Sequence, residues 1–445
     1  MENEKNETNM TAQIAILNKS AIALASDSAV TIGGNRPRKT YNTVNKLFTL
    51  SKYAPVGVMF FGNAEFMGVP WESILKMFRH SLGKERRPTI AEYAETFLKF
   101  VESHRGLFPS ELQTRFYDSK VAGVFKGIKD ELDTDIATRY KSGQQVTPSL
   151  VESTFKDLIK KNCIILRSHP YMTGFDKLAA RKIVLASCKR IEHIASEVFQ
   201  KLPRAALVNA RLKYIACNIV AKDVFTGSTS GVVIAGFGED EHFPNLISYN
   251  LDCIIDNKLR HKQDQQASIT HQNSAQITPF AQADMVSEFM EGVHPSFVSF
   301  FERRLTEMFR ALPEQILKCV SNPPFDSARI QKLDDFFGEL LKELNVDQNR
   351  FRRAHHITPV IDTVAVLPKE ELATMAAALV NLTQFRQKIT LQAETVGGPV
   401  DVAVISKGDG FVWINRKHYF DPKYNPYFFH NYYLSTEKEH GNEGV

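Results

Sequence analysis

The first sixty residues alternate short apolar runs with polar turns. The apolar runs lie at residues 12–17, 21–26, 45–50 and 56–61. The polar stretches 18–20 and 51–55 separate the two runs of each pair. Short apolar runs bounded by turn residues are typical of buried strands. We therefore predict that the chain opens with four strands of one sheet.

Two helices are predicted after these strands. The first begins near Asn63, and Pro70 caps or kinks it because proline cannot donate a backbone hydrogen bond. The second covers residues 89–104, where Thr89 and Glu92 have the spacing of a capping box.

The rest of the chain changes from helical to strand patterns and back. Helical spacing dominates residues 105–225, and 230–252 have the pattern of a strand, an acidic turn and a strand. The Gln-rich stretch 261–276 is predicted to be a loop or an edge segment. Residues 369–387 fit a helix, and 398–414 fit a hairpin with a Gly-Asp-Gly turn. This order predicts an α+β protein with two sheets and helices outside them.

The composition is that of an ordinary globular protein. Hydrophobic residues make up 43% and charged residues 24% of the 445 residues, and the net charge is +5. No apolar run approaches the ~18 residues that a membrane helix needs, and the polar opening lacks the apolar core of a signal peptide. The basic clusters at 83–88 and 350–356 lack a nucleic-acid-binding motif. We expect a cytoplasmic protein that binds neither membrane nor nucleic acid.

The five cysteines stand far apart and never form a CxxC pair. An odd, scattered set argues against a disulfide framework and against a zinc site, and it fits a reducing compartment. His355 and His356 have no helical partner at metal-ligand spacing. We expect no metal and no organic cofactor.

A threonine, an aspartate and a lysine are spaced so that the predicted strands bring them together. If the first hairpin is symmetric about Lys19, Thr11 lies opposite Asp27, and cross-strand partners are within about 5 Å of each other. Lys46 stands near the start of the third run. Its ammonium reaches both groups if that strand pairs beside the first two.

These three residues have a chemical logic if Thr11 is the N-terminus of the working protein. Its free α-amine, with a reference pKa of about 7.7 to 8.0, is a usable general base at neutral pH. A nearby ammonium lowers the pKa of that amine, and Asp27 holds the lysine in place. Backbone N–H groups in the turn after the fourth strand offer an oxyanion hole.

The opening of the chain resembles that of proteasome β-subunits and their bacterial relatives. The segments that carry the resemblance are TAQIAILNKSAIALASDSAVT, NKLFTL and GVMFFGNAEF. Two later segments, GVVIAGFGEDEHFPNLISYNLD and VGGPVDVAVISKGDGF, are similar to later strands of the family. The resemblance implies an N-terminal-nucleophile (Ntn) hydrolase with a four-layer αββα sandwich and large helical insertions.

The resemblance implies a role for each residue of the catalytic set. Thr11 is the nucleophile and base, Lys46 is the lysine beside it, and Asp27 is the carboxylate partner of that lysine. Backbone N–H groups of Phe61 and Gly62 hold the oxyanion. Phe61 stands where the family usually has glycine, so its bulky side chain is expected to narrow the site.

Further positions follow from the same resemblance. Thr31 matches a residue that pairs with the substrate backbone. Met59 matches a residue that lines the first specificity pocket, and Asn63 lies in the turn beside the oxyanion hole. Ser28 follows the aspartate as in the family.

Two later family residues have no clean match. Ser274 and Glu394 are the nearest candidates for a supporting serine and a supporting acidic residue. Family chains are also much shorter, so extra helices are expected as insertions. The expected division is an N-terminal extension at 1–10, core at 11–104, a largely helical insertion at 105–225, core at 226–295, a helical insertion at 296–360, the last helix and strands of the core at 361–416, and an aromatic-rich tail at 417–445.

Both ends of the chain leave alternatives open. Residues 1–10 are a propeptide that Thr11 removes by attack on the Met10–Thr11 bond, or Met10 is the real start and ordinary methionine removal exposes Thr11. The tail residues 418–434 hold eight aromatic side chains. We expect this tail to pack over the sheets, and the alternative is a docking segment for a partner.

Three functions remain open at this stage. The first is a threonine hydrolase that cleaves peptide or other amide bonds through an acyl-enzyme on Thr11. The second is a catalytically inactive relative that acts as a scaffold or partner-binding protein. The third keeps the chemistry but acts on a small amide. The expected partners are a peptide or protein substrate, with a homo-oligomer and an unfoldase or other protein partner left open.

Overall fold

The structure is a computed structural model, and it describes residues 11–32, 39–200, 202–227, 229–319, 327–390, 396–427 and 430. The N-terminal extension 1–10 and Glu394 lie outside these residues. The strands are β1 (Ala12–Asn18), β2 (Ile22–Ser26), β3 (Val30–Ile32), β4 (Lys39–Tyr41), β5 (Leu47–Thr49), β6 (Val56–Gly62), β7 (Glu65–Phe66), β8 (Val69–Pro70), β9 (Ser230–Gly236), β10 (Asn245–Ile255), β11 (Lys258–Ser268), β12 (Ala275–Ala281), β13 (Asp401–Ser406) and β14 (Gly410–Asn415).

Helices occupy most of the remaining described residues. They are α1 (Trp71–Leu82), α2 (Ile90–Ser103), α3 (Ser110–Lys141), α4 (Pro148–Ser168), α5 (Lys177–Phe199), α6 (Ala206–Ala221), α7 (Asp284–Glu291), α8 (Pro295–Cys319), α9 (Ser327–Arg352), α10 (Thr358–Val366) and α11 (Lys369–Ile389). A π-helical turn at Arg353–Ile357 joins α9 to α10, and a 3₁₀ turn lies at Pro422–Tyr424.

Two five-stranded antiparallel sheets form the centre of the molecule. The first sheet has the strand order β12-β1-β2-β13-β14, and the second has the order β11-β10-β9-β6-β5. Strands β3 and β4 form a separate two-stranded ribbon, as do β7 and β8. The chain therefore combines helices with antiparallel sheets, which is the composition expected for an α+β fold.

Three hydrophobic clusters show where each sheet face is buried. Leu17 and Leu24 of the first sheet share one cluster with Val233 of the second, so the two sheets face each other. The opposite face of the first sheet packs against helices α10 and α11, including Leu372. The opposite face of the second sheet packs against α1, α2 and the helices that follow, including Phe97. Helices therefore cover both outer faces.

The four opening strands divide between the two sheets. Strands β1 and β2 belong to the first sheet, whereas β5 and β6 belong to the second. The prediction of a single opening sheet is therefore wrong. An apolar run is buried in the same way whether it joins the first sheet or the second. Its pattern therefore does not indicate which sheet it joins.

The first helices follow their capping signals. Helix α1 begins at Trp71 and not near Asn63, because residues 65–70 form the β7–β8 ribbon first. Helix α2 begins one residue after Thr89, whose side-chain oxygen accepts a hydrogen bond from the Glu92 N–H (3.2 Å). This is the capping contact that the sequence predicts.

A buried charge network fastens the helical region 105–225 to the second sheet. Arg260 of β11 is fully buried, and its Nε donates a hydrogen bond to Asp252 Oδ2 (2.8 Å). Its Nη2 donates to the Val224 carbonyl oxygen (2.8 Å) just beyond α6. Lys120 of α3 forms an ion pair with the same aspartate. Both sides of this interface therefore depend on one carboxylate.

The described part of the C-terminal tail does not pack over the sheets as expected. Tyr419, Tyr424 and Tyr427 are 92%, 75% and 78% exposed.

Within the part of the chain that the structure describes, none of the helices combines the length and the apolar character that crossing a bilayer requires.

Replacing the buried arginine tests the role of this network. We expect Arg260→Ala to lower the free energy of unfolding by about 3–5 kcal/mol, because it leaves a buried carboxylate short of a partner. The matched control is Arg86→Ala, which removes an exposed pair with Glu239 (3.2 Å). That change is expected to cost no more than about 1 kcal/mol. Urea denaturation measures both, and equal losses would contradict the assignment.

Candidate active site

Three strand ends bring the predicted catalytic residues together. Thr11 directly precedes β1, Asp27 directly follows β2, and Lys46 directly precedes β5. The first two residues belong to the first sheet and Lys46 to the second. The facing of the two sheets therefore creates the site, and not the pairing of three neighbouring strands.

The lysine stands between the threonine and the aspartate. Lys46 Nζ lies 3.1 Å from Thr11 Oγ1 and 2.8 Å from Asp27 Oδ1. Lys46 is 5% exposed, Thr11 is 2% exposed and Asp27 is 0% exposed. One ammonium thus touches both a hydroxyl and a carboxylate in a buried environment.

The register of the first hairpin differs from the predicted one. Gln13 pairs with Ser26, so partner numbers add up to 39 and not 38. The turn has two residues at its tip, because the Asn18 N–H bonds to the carbonyl oxygen of Ala21 (3.0 Å). Thr11 therefore does not lie directly opposite Asp27. Lys46 connects the two side chains instead.

Backbone N–H groups hold the Asp27 carboxylate in place. Oδ1 accepts from the Ala12 N–H (3.3 Å), and Oδ2 accepts from the N–H groups of Ala29 (3.3 Å) and Gly397 (3.2 Å). These contacts fix the carboxylate that in turn fixes Lys46. Gly397 is not among the predicted site residues; its signal in the sequence is the Gly-Gly-Pro run before β13, which marks a close approach of backbone.

Burial shifts the pKa of both members of the ion pair. Burial lowers the pKa of Lys46, and the positive charge of Lys417 adds to this effect, whereas Asp27 opposes it. Burial raises the pKa of Asp27, and Lys46 together with the backbone donors opposes this shift. A lysine with a lowered pKa gives up its proton more readily than a solvated lysine does.

Thr11 itself is held as part of a sheet. Its carbonyl oxygen accepts a hydrogen bond from the Gln282 N–H (3.1 Å), just beyond β12. In the full chain its nitrogen is the amide of the Met10–Thr11 bond, and an amide is not a base. A basic amine at this position requires cleavage of that bond.

The backbone of β6 favours Gly62 as the oxyanion donor. The Phe60 N–H bonds to the Lys46 carbonyl oxygen (2.9 Å), and N–H groups alternate in direction along a strand. The Gly62 N–H therefore points to the Lys46 side, whereas the Phe61 N–H points toward β9, where Phe61 lies opposite Gly231. This geometry corrects the expectation that Phe61 is a donor.

Glycine is required at position 62. Its φ is +79°, in the left-handed region, and a Cβ there would lie 2.4 Å from the Thr229 carbonyl oxygen. Phe61 meanwhile places its ring between the sheets, with its centroid 5.8 Å from that of Phe280. Its bulk lies against the inter-sheet core, and Phe61 is absent from the residues that line the adjacent cavity.

A cavity of about 280 Å³ adjoins Lys46 and Gly62. Val30, Phe60 and Trp71 give it apolar walls, and Asn63 of the adjoining turn also lines it. This cavity, which we call the proximal cavity, is large enough for one side chain or a small acyl group.

Three of the remaining predicted residues lie elsewhere. Met59, expected to line this cavity, is fully buried between the two sheets. Ser28 is buried, and its hydroxyl donates to the Pro399 carbonyl oxygen (2.5 Å), so it fastens the Gly397 segment. Thr31 pairs with Thr40 in the β3–β4 ribbon, beside Val30 of the cavity.

Of the two supporting candidates, Ser274 does not join the site. Ser274 precedes β12, and β12 runs antiparallel to β1 so that Ala275 pairs with Asn18. Ser274 therefore lies at the far end of β1 from Thr11. Glu394 lies outside the described residues.

The comparisons with known proteins leave the chain without an assigned relative. No protein-family model matches the chain, and no curated protein matches it in sequence. Among the residues that the structure describes, no group of three or more His, Cys, Asp or Glu side chains has the arrangement of a metal site.

Removing one charge of the buried pair tests its geometry. We expect Lys46→Met to lower the free energy of unfolding by about 3–5 kcal/mol, because it leaves Asp27 buried without its cation. The double variant Asp27→Asn, Lys46→Met removes both charges and should regain much of that loss. Thermal and urea unfolding of wild type, Lys46→Met, Asp27→Asn and the double variant give the four free energies of this double-mutant cycle. Additive losses from the two single substitutions would show that the two charges do not interact.

Proposed function

We propose that the chain is an Ntn threonine hydrolase that cleaves peptide or other amide bonds through an acyl-enzyme on Thr11. The observation that carries the proposal is the buried contact of Lys46 Nζ with both Thr11 Oγ1 (3.1 Å) and Asp27 Oδ1 (2.8 Å). The facing sheets and their outer helices support the finer proposal that the core is an αββα sandwich of the Ntn type.

The proposed reaction begins with attack of Thr11 Oγ on the substrate carbonyl carbon. The free α-amine of Thr11 accepts the hydroxyl proton, and the Gly62 N–H stabilises the negative oxygen of the tetrahedral intermediate. The intermediate collapses to an ester on Thr11, and the leaving amine takes the proton from the threonine ammonium. Water, activated by the same amine, then hydrolyses the ester and restores the hydroxyl.

Lys46 supplies the electrostatic environment for these steps. Its ammonium lies within hydrogen-bond distance of the nucleophilic oxygen, so it stabilises the alkoxide character that develops during attack. The same charge lowers the pKa of a neighbouring free amine, which keeps that amine unprotonated. Asp27, held by three backbone donors, prevents the lysine from turning away.

Formation of the free amine is part of the proposal. In the full chain Thr11 Oγ attacks the carbonyl carbon of Met10, which transfers that acyl group from nitrogen to oxygen. Water then hydrolyses the ester, releases residues 1–10 and leaves a free amine on Thr11. The 2% exposure of Thr11 fits a nucleophile enclosed before processing.

The same exposure favours one alternative. A threonine that stays buried and bonded to Met10 has no basic amine, so an unprocessed chain would be a catalytically inactive scaffold or partner-binding protein.

An amidase that acts on a small amide keeps the proposed chemistry, and the modest volume of the proximal cavity fits a small acyl group. A homo-oligomer, an unfoldase partner and a cytoplasmic location stay predictions.

The intact mass of the expressed protein tests the processing step. We expect the wild-type chain to lose residues 1–10, Thr11→Ser to lose them as well, and Thr11→Ala to keep them, because only the first two have a nucleophilic hydroxyl. Met10→Leu is the matched control. It removes the alternative start site but leaves the Thr11 hydroxyl, so this chain should also be processed.

Mass spectrometry of the purified chains gives the answer directly. Retention of residues 1–10 in wild type and in all three variants would leave the scaffold alternative as the better function. Their loss from Thr11→Ala would show that another protease acts at this bond or that the chain starts at Met10.

An electrophilic peptide separates the peptidase from the small-amide alternative. We expect a peptide boronate to form an adduct with the processed wild-type chain, because Thr11 Oγ attacks the boron as it attacks a carbonyl. Lys46→Met should form the adduct at least 100-fold more slowly, since it removes the charge that activates the hydroxyl. Hydrolysis of small acyl amides without any peptide adduct would favour the amidase.

A further inference from the structure

A second and larger cavity adjoins the proximal cavity. It has a volume of about 440 Å³ and lies between α1, β5 and the segment that follows β14. The two cavities share Thr43, Asn45 and Glu72 among their lining residues. We call this the distal cavity. The proximal cavity reaches Thr11 through Lys46, which lies 3.1 Å from Thr11 Oγ1, and the distal cavity continues from it.

The distal cavity is lined by more cations than anions. Its lining residues include the four basic side chains Lys76, Arg79, Arg416 and Lys417, and Glu72 is the one carboxylate among them. Two of the cations have carboxylate partners in the structure. Lys76 pairs with Glu72 (3.0 Å), and Lys417 pairs with the buried Asp401.

The other two cations make different contacts. Arg79 donates hydrogen bonds from Nε (2.8 Å) and Nη2 (2.5 Å) to the Thr49 carbonyl oxygen. That oxygen carries no full negative charge. Arg416 has an exposed side chain, and among the described residues it forms no ion pair with a carboxylate. Arg416 therefore contributes a positive charge that Glu72 and Asp401, which pair with Lys76 and Lys417, do not offset.

Arg416 is also held in place for binding. Its guanidinium carbon lies 4.8 Å from the ring centroid of Trp413, and such stacking limits the directions that the guanidinium can take. A fixed guanidinium presents two parallel N–H groups, which match the two oxygens of a carboxylate. The aromatic walls, including Phe48 and Phe420, contact the hydrocarbon part of a bound chain.

We propose that the distal cavity binds an acidic side chain of the peptide substrate, with Arg416 as the residue that contacts its carboxylate. The proposal rests on the proposed hydrolase function, and it names the substrate class as peptides with Asp or Glu close to the scissile bond. The cavity supplies selection of the substrate, whereas Thr11, Asp27 and Lys46 supply the chemistry.

The charge of this cavity is also felt at the catalytic lysine. The positive charge of Lys417 contributes to the lowered pKa of Lys46, which places the two cavities within electrostatic range of each other. Asp401 forms an ion pair with Lys417 and limits this effect. The carboxylate of a bound substrate would add a second anion on the same side.

Peptide binding to the full-length Thr11→Ala chain tests the proposal without any need for catalysis. The probes are a fluorescein-labelled peptide of alanine and glycine that carries two glutamates and its twin with two glutamines. We expect the glutamate peptide to bind about tenfold more tightly, because one charge-assisted hydrogen bond to Arg416 raises the affinity by about that factor. The preference should fall as salt is added. Fluorescence anisotropy measures both affinities.

Arg416 variants on the same background identify the binding residue. Arg416→Ala should remove the tenfold preference, and Arg416→Glu should reverse it, because a carboxylate then faces the peptide carboxylate. Arg181→Ala is the matched control: it removes an exposed arginine of α5 that lines neither cavity, and it should keep the preference. Circular dichroism checks that each variant is folded.

Each outcome bears on this proposal separately from the hydrolase proposal. Equal affinity for the two peptides, or a preference that survives Arg416→Ala and Arg416→Glu, would overturn it even if the enzyme is active. Stronger competition by inorganic phosphate than by the glutamate peptide would also overturn it. A preference that depends on Arg416, together with a wild-type chain that hydrolyses no peptide, would support the cavity assignment and contradict the hydrolase.

Discussion

The buried contact between Lys46 and Asp27 is the interaction on which the rest of the site depends. Asp27 ends a strand of one sheet and Lys46 begins a strand of the other, so the ion pair joins the two sheets at one end. Because neither charge is solvated, each needs the other, and the carboxylate also needs its three backbone donors. The pair forms only if the two sheets face each other and the Gly397 segment approaches Asp27. The position of Thr11 depends on the same arrangement.

Much of the fold could be predicted from the sequence because strands, helices and caps leave local signals. The apolar runs of β1, β2 and β6, the cap at Thr89 and the hairpin of β13 and β14 lie where hydrophobic patterning and turn residues predict them. The grouping of Thr11, Asp27 and Lys46 could also be predicted, since their spacing puts each at a strand end. Their roles in catalysis stay a prediction.

The remaining features depend on tertiary contacts that leave no local signal. Apolar runs do not state which sheet they join, so the division of the opening strands between two sheets was missed. A hairpin tip of two residues instead of three shifts every cross-strand pair by one, and this displaced Thr11 from Asp27. The antiparallel course of β12 placed Ser274 at the wrong end of β1. Gly397 comes from a segment more than 300 residues away in the chain, which spacing near the site cannot reveal.

In the proposed enzyme, the distribution of charge separates chemistry from substrate selection. Lys46 with Asp27, and Lys417 with Asp401, form two compact pairs that are each neutral overall, so neither attracts a distant anion strongly. Arg416 stands outside both pairs and is exposed, so its field acts on molecules in solution, although salt screens it over about 10 Å. A substitution at Arg416 therefore changes how an anionic chain is captured while it leaves the buried pair intact. If Lys46 itself provided the attraction, a bound anion would lie directly against its ammonium and raise its pKa more than an anion held at Arg416 does.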